Sequence, residues 1–201
     1  MKRDMDFWFT VLARGLVALL AGSAILIIPD IARTILLLPI AVAAAIAGLA
    51  GYGVFDSALI FVSSFMAQTA RVKIALRVQG LIGIFIGMLL LSVVYNQVKL
   101  DWFISLAALQ ALSAGIGETV VARHTTDRAA SHWNYAAATI AFVFAAVYAL
   151  IRIRWAENLT PRALSWAVYM YLLAFGIAQC LTASRMLYSD RQALSATTTT
   201  D

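Results

Sequence analysis

Six polar side chains interrupt the long apolar stretches of this 201-residue chain: Arg14, Asp56, Gln79, Glu118, Asn134 and Gln179. An ionised side chain at the centre of a bilayer costs about 2.5–3.5 kcal/mol on insertion scales, so such residues face inward, pair, or serve a function. All six fall one or two helical turns from the same expected membrane surface and define a polar layer. Taken hairpin by hairpin, the layer pairs Arg14 with Asp56, Gln79 with Glu118, and Asn134 with Gln179. Two chemistries fit it. The layer is a clasp that sets helix register, or it is a proton-responsive site, since a half-buried carboxylate can exchange a proton near neutral pH. Glu118 is then the titrating group, because its expected partner is uncharged.

The rest of the chain offers no catalytic set. There is no nucleophile–base arrangement, phosphate loop or cofactor fingerprint. His124 and His132 share a loop with Arg123, Asp127 and Arg128 but lack metal-ligand spacing. The single cysteine, Cys180, excludes an internal disulfide and reads as a small apolar residue within a span. Asn158-Leu159-Thr160 matches a glycosylation sequon, but Pro161 follows it and Thr160 is better used as a helix cap. The expected protein is non-enzymatic and binds no cofactor or metal.

The composition explains what must position the polar layer. Hydrophobic residues make up 63% of the chain and charged residues only 12%, against about 45–50% and 25% for soluble domains. The apolar residues cluster in blocks of about 20, long enough to cross about 30 Å of hydrocarbon as helices. Lipid leaves backbone groups no partner but each other, which admits helices or closed barrels, and the absence of alternation excludes a barrel. The fold class is all-α integral membrane, with six transmembrane helices arranged as three parallel-repeat hairpins.

The hairpins span about 7–65, 76–124 and 132–186 within a single membrane domain, 1–188, followed by a disordered cytoplasmic tail, 189–201. The first span stops at Pro29-Asp30, the second begins near Thr34, Asp101 caps the fourth, and Thr160-Pro161 opens the sixth. No cleavable leader is expected after Met1 to Asp6. The net charge of +5 comes from basic residues flanking the spans, which points to lipid rather than nucleic acid. Ten of the 15 lysines and arginines fall on the side of the N-terminus, so both termini are expected in the cytoplasm.

Self-similarity supports the hairpin division. Gly53-x-x-Asp56, Gly115-x-x-Glu118 and Gly176-x-x-Gln179 recur at intervals of 62 and 61 residues. Gly15 and Gly22 match Gly80 and Gly87, each pair seven residues apart. In the third copy Asn134-Tyr135 stands there and the glycines are gone. These seven glycines, Gly15, Gly22, Gly53, Gly80, Gly87, Gly115 and Gly176, are expected to let helices pack closely.

At Arg14-Gly15-Leu16-Val17-Ala18-Leu19-Leu20-Ala21-Gly22 with Pro29 beyond, and at Gly115-Ile116-Gly117-Glu118 continuing to Ala122-Arg123, the sequence resembles the HdeD-type membrane proteins, which carry a short internal hairpin repeat. The resemblance implies a bacterial inner-membrane protein linked to acid resistance and transfers no catalytic residues. Two other classes stay open: a small-solute or proton transporter or channel, and a homo-oligomer or accessory subunit of a larger membrane complex.

Overall fold

The computed structural model describes residues 4–35, 38–67, 69–95, 100–125, 127–154 and 161–198, and within them the chain is helical apart from short turns. Six helices follow in order: α1 (Asp4–Ile35), α2 (Leu38–Met66), α3 (Ala70–Tyr95), α4 (Leu100–His124), α5 (Arg128–Arg154) and α6 (Pro161–Thr198). Five carry spans long and apolar enough to cross a membrane, at Phe7–Ile27, Ala70–Ser92, Trp102–His124, Arg128–Arg154 and Trp166–Ser189. In α2 the described apolar part is Ala50–Met66. Large apolar side chains are exposed on every helix, among them Leu20, Phe55, Phe85, Ile116, Ile153 and Met170. A soluble protein could not leave so much apolar surface in water, whereas a bilayer requires it. The chain is an all-α membrane protein.

Several boundaries differ from those read in the sequence. Helix α1 continues through Pro29 to Ile35. Proline removes one backbone donor, but in a membrane helix the hydrogen bonds on either side can carry the helix past it. Helix α4 begins at Leu100, one residue before Asp101, which therefore stands within the first turn rather than ahead of it. The early starts of α3 and α5 have visible caps: Thr69 Oγ1 accepts from the Val72 amide at 3.4 Å, and Asp127 Oδ1 accepts from the Ala129 amide at 2.9 Å. Pro161 opens α6 at the position where its missing N–H costs nothing; Thr160 lies outside the described residues. The segment from Ser189, which its composition marks as disordered, is helical to Thr198. It contains no proline or glycine to stop the helix.

Each helix packs on two neighbours, and the contacts close a ring from α1 through α6 back to α1. The closest pairs are α2 with α3, α4 with α5, and α1 with α6. These lie between the hairpins of the sequence reading, and packing within each hairpin is looser. The glycines account for the difference. A Cβ on Gly80 would stand 2.9 Å from the Phe61 Cβ and amide nitrogen and from the Ser57 carbonyl of α2. On Gly15 it would stand 3.0 Å from the Gly176 carbonyl and the Cys180 amide nitrogen of α6, and on Gly176 it would meet the Gly15 carbonyl at 2.9 Å. Gly22 lies against Leu172, Gly87 against Val54, and Gly115 against the Phe142 ring. Each of these contacts brings together one of the three close pairs. Gly53 is the exception: a Cβ there meets nothing within 4 Å, so it is not a packing glycine despite sharing its motif with Gly115 and Gly176.

Three apolar clusters fill the interior, one of them formed by Ala114, Ala137, Ala141, Phe175 and Ala178 between α4, α5 and α6. Ile60, Val72, Leu76 and Val121, with Phe7 against them, fill the end that carries the α2–α3 and α4–α5 turns. A larger cluster including Ile25, Ile86, Leu90, Phe103, Ile104, Tyr148 and Leu172 fills the other part.

The glycine contacts separate two substitutions that look alike in sequence. Gly80→Ala is expected to destabilise the full-length protein in mixed micelles by about 1–3 kcal/mol, because the methyl meets backbone atoms of α2 that cannot turn aside. Gly53→Ala is expected to be neutral or to stabilise by up to about 1 kcal/mol, since alanine is the better helix former and finds open space. Equilibrium unfolding of both variants measures the difference; equal effects would show that close approach at Gly80 is unimportant.

Candidate functional site

Each of the six polar residues picked out in the sequence comes from a different helix, and all six are buried. Arg14 lies ten residues into α1, Asp56 ten before the end of α2, and Glu118 six before the end of α4. At 1.5 Å per residue those positions are about 9–15 Å inside the helix ends. The layer thus sits within the apolar zone, between the cluster at the turn end and the larger cluster beyond it.

Arg14 organises it. Its Nε donates to Asp56 Oδ1 at 3.0 Å, and its Nη1 donates to Glu118 Oε1 at 2.9 Å. The three side chains are between 4% and 9% exposed, so both ion pairs are shielded from water. The guanidinium suits this task because its donors point in fixed, separate directions and can hold two carboxylates at once. The guanidinium carbon also stands 5.8 Å from the Phe175 ring centroid on α6, a cation–π distance. The α1–α4 bond crosses the ring, since these two helices are opposite one another in it.

The pairing differs from the sequence reading in two of three hairpins. Glu118 is not beside an uncharged partner; it shares Arg14 with Asp56. An argument for acid tolerance that needs Glu118 among neutral donors alone therefore does not apply. Gln79 makes no hydrogen bond to Glu118, and both its amide atoms lack a protein partner. Its Oε1 occupies the space a side chain at Gly117 would need, which places the amide against the residue preceding Glu118. Asn134 does not bond Gln179. Its Nδ2 donates to Thr125 Oγ1 at 3.3 Å, and Ser131 Oγ donates to the Ala122 carbonyl at 2.8 Å. Together they staple the α4–α5 turn. Gln179 is fully buried with neither amide atom bonded, as is the Arg14 Nη2 nitrogen.

Residues absent from the sequence list complete the layer. Tyr171 of α6 packs at 5.7 Å between ring centroids on Phe175, the ring that faces the Arg14 guanidinium, and Tyr52 lies on α2 with Asp56. Tyr52 stands one helical turn before Asp56, a spacing that could have drawn attention to it. Tyr171 also belongs to an aromatic group with Phe144, Tyr148 and Phe175, at centroid distances of 5.4–6.3 Å. Gln110 donates to Ser57 Oγ at 3.4 Å, tying α4 to α2. Elsewhere, His124 Nδ1 lies 2.9 Å from the Val120 carbonyl. Among the described residues no group of three or more histidines, cysteines or acids could hold a metal ion.

The arrangement defines a class: a six-helix membrane bundle closed around a buried arginine shared by two acids. The chain matches no protein-family model, and no curated protein or solved structure shows significant similarity to it.

Removing the arginine leaves two buried acids without a cation, so Arg14→Leu is expected to lower stability by about 3 kcal/mol or more. Arg14→Leu with Asp56→Leu, and Arg14→Leu with Glu118→Leu, are each expected to fall short of the summed single losses by over about 0.5 kcal/mol. Double-mutant cycles in mild detergent measure both couplings. Additive losses in either cycle would mean that pair does not contribute.

Proposed function

We propose that this protein is a non-enzymatic, HdeD-like protein of the bacterial inner membrane that contributes to survival under acid or related stress. One observation carries the reading most directly. The two stretches that carry the resemblance, Arg14–Gly22 and Gly115–Arg123, supply Arg14 and Glu118, and these two side chains hydrogen-bond at 2.9 Å across the ring. The segments that look alike in sequence thus supply an ion pair across the centre of the bundle. The repeat of three hairpins gives a reason for the ring, since each hairpin buries its inner face only against the others. The excess of basic residues on the side of the N-terminus supports cytoplasmic placement of both termini.

Transport or channel activity for a proton or small solute is the competing reading, and the excess of acid over base in the buried cluster favours it. Away from that layer, the hydroxyls of Ser92 and Thr139 bond their own helix at Leu89 and Tyr135. They are therefore committed to backbone and do not extend the layer toward the other face.

In the native bacterium, a deletion strain is expected to survive low pH less well than its parent. Wild-type protein is expected to restore survival, and Arg14→Leu is not. Equal survival of deletion and parent strains would end the stress reading.

A further inference from the structure

Charge does not balance in the interior. Arg14 brings one positive charge to the cluster, while Asp56 and Glu118 bring two carboxylates, and no other base is paired with either acid among the described residues. Arg77, also near this end of the bundle, is turned away to Ser64 Oγ and the Phe65 ring. With all three groups ionised, the cluster holds one uncompensated negative charge at a depth where exposure is a few per cent. Such a charge must be offset or removed.

We infer that the Arg14–Asp56–Glu118 cluster is a proton-binding site, in which one exchangeable proton is held by the carboxylate pair beneath the Arg14 guanidinium. Uptake transfers H⁺ from water to one carboxylate oxygen, forming an O–H bond and a neutral acid. The other carboxylate stays ionised against Arg14, and release reverses the step with no other bond made or broken.

The surroundings suit both protonation states. Gln79 is buried with both ends of its amide unpartnered, and it is packed against Gly117, the residue before Glu118. An amide can donate to a carboxylate through Nε2 or accept from a carboxylic acid through Oε1, so a proton can come and go without orphaning the neighbour. Among the described residues the other titratable groups near the cluster are Tyr52, one helical turn from Asp56 on α2, and Tyr171 of α6, which packs on the Phe175 ring facing Arg14; both can donate or accept. Beside Arg14, Asp56 and Glu118 themselves, α3 and α5 contribute only amides to the layer, Gln79 and Asn134. A metal cation fits less well. Hard cations require six or more oxygens, and here one oxygen of each acid is already committed to Arg14.

This inference gives the proposed stress role an acid-sensing group and rests on that reading for its physiology, but its test does not pass through survival. Full-length protein in lipid nanodiscs is titrated while infrared difference spectra follow the C=O stretch of protonated carboxyl groups. Wild type is expected to show a buried-carboxyl band, shifted in D₂O, under conditions where hydrated carboxylates are ionised. Asp56→Asn and Glu118→Gln are each expected to abolish it, because one acid then balances Arg14. Arg14→Gln is expected to make it roughly twofold stronger, since both acids then lack a cation. Circular dichroism confirms that each variant is folded, and the two single-acid variants suffice if Arg14→Gln is not. No band in the wild type, or a band unchanged in both acid variants, overturns the site. A melting temperature that rises with sodium over N-methylglucamine, without a carboxyl band, also overturns it and assigns the cluster to a metal cation. A band present with unaffected survival of the deletion strain removes the stress role and keeps the site; the reverse pattern removes only the site.

Discussion

A guanidinium shared by two carboxylates across the middle of a helical ring is the constraint on which the rest of this structure depends. Each helix in the ring touches two neighbours, so packing alone defines the order around the circle but does little to hold opposite helices together. Arg14 does that by reaching from α1 to Glu118 on α4 while holding Asp56 on α2. In hydrocarbon the alternative to these bonds is an unpaired charge, so the tie is specific even though the net gain of a buried ion pair is modest. Its value lies in selecting one arrangement of α1, α2 and α4 over others with similar apolar contact.

Close packing of backbones provides the second constraint. Lipid offers no hydrophobic drive for helices to associate, so contact area and dispersion must supply it. Glycines on α1, α3, α4 and α6 let helix pairs approach until backbone atoms nearly touch, as at Gly15 with Gly176 and at Gly80 with Ser57. The three closest pairs are therefore those joined by a short turn, α2–α3 and α4–α5, and the pair that closes the ring, α1–α6. The same glycines surround the polar layer, so the arginine and the acids are held where side chains have little room to move. Gln79 uses this directly, since its amide occupies the space that a side chain at position 117 would take.

The layer is also sealed on both sides. Ile60, Val72, Leu76 and Val121 lie toward the end with the turns, and the larger cluster around Phe103, Ile104 and Leu172 lies beyond it. Burial of this kind strengthens the Arg14 pairs and raises the cost of the amide atoms left unbonded in Gln79 and Gln179. Polar groups kept unbonded in an otherwise well-packed interior are uncommon, and among the described residues they fall on Arg14, Gln79, Gln110 and Gln179.

Hydropathy alone determined that the chain is a helical membrane protein, because apolar blocks of about 20 residues have few other physical solutions. It also picked out six polar residues within the apolar stretches, and each proves to be buried on a different helix. Partnership was decided only by the tertiary structure. Repeat spacing places Gln79 near Glu118 and Asn134 near Gln179, yet it carries no information on which way round the ring each side chain reaches. The Arg14–Glu118 bond joins residues 104 positions apart on opposite helices, and only ring closure brings them together. The same holds for the glycines. Gly53, Gly115 and Gly176 stand at one motif position, but they face open space, an aromatic ring and a neighbouring backbone. A periodic sequence specifies the face and the depth of a residue; what stands opposite is set by how the other five helices pack.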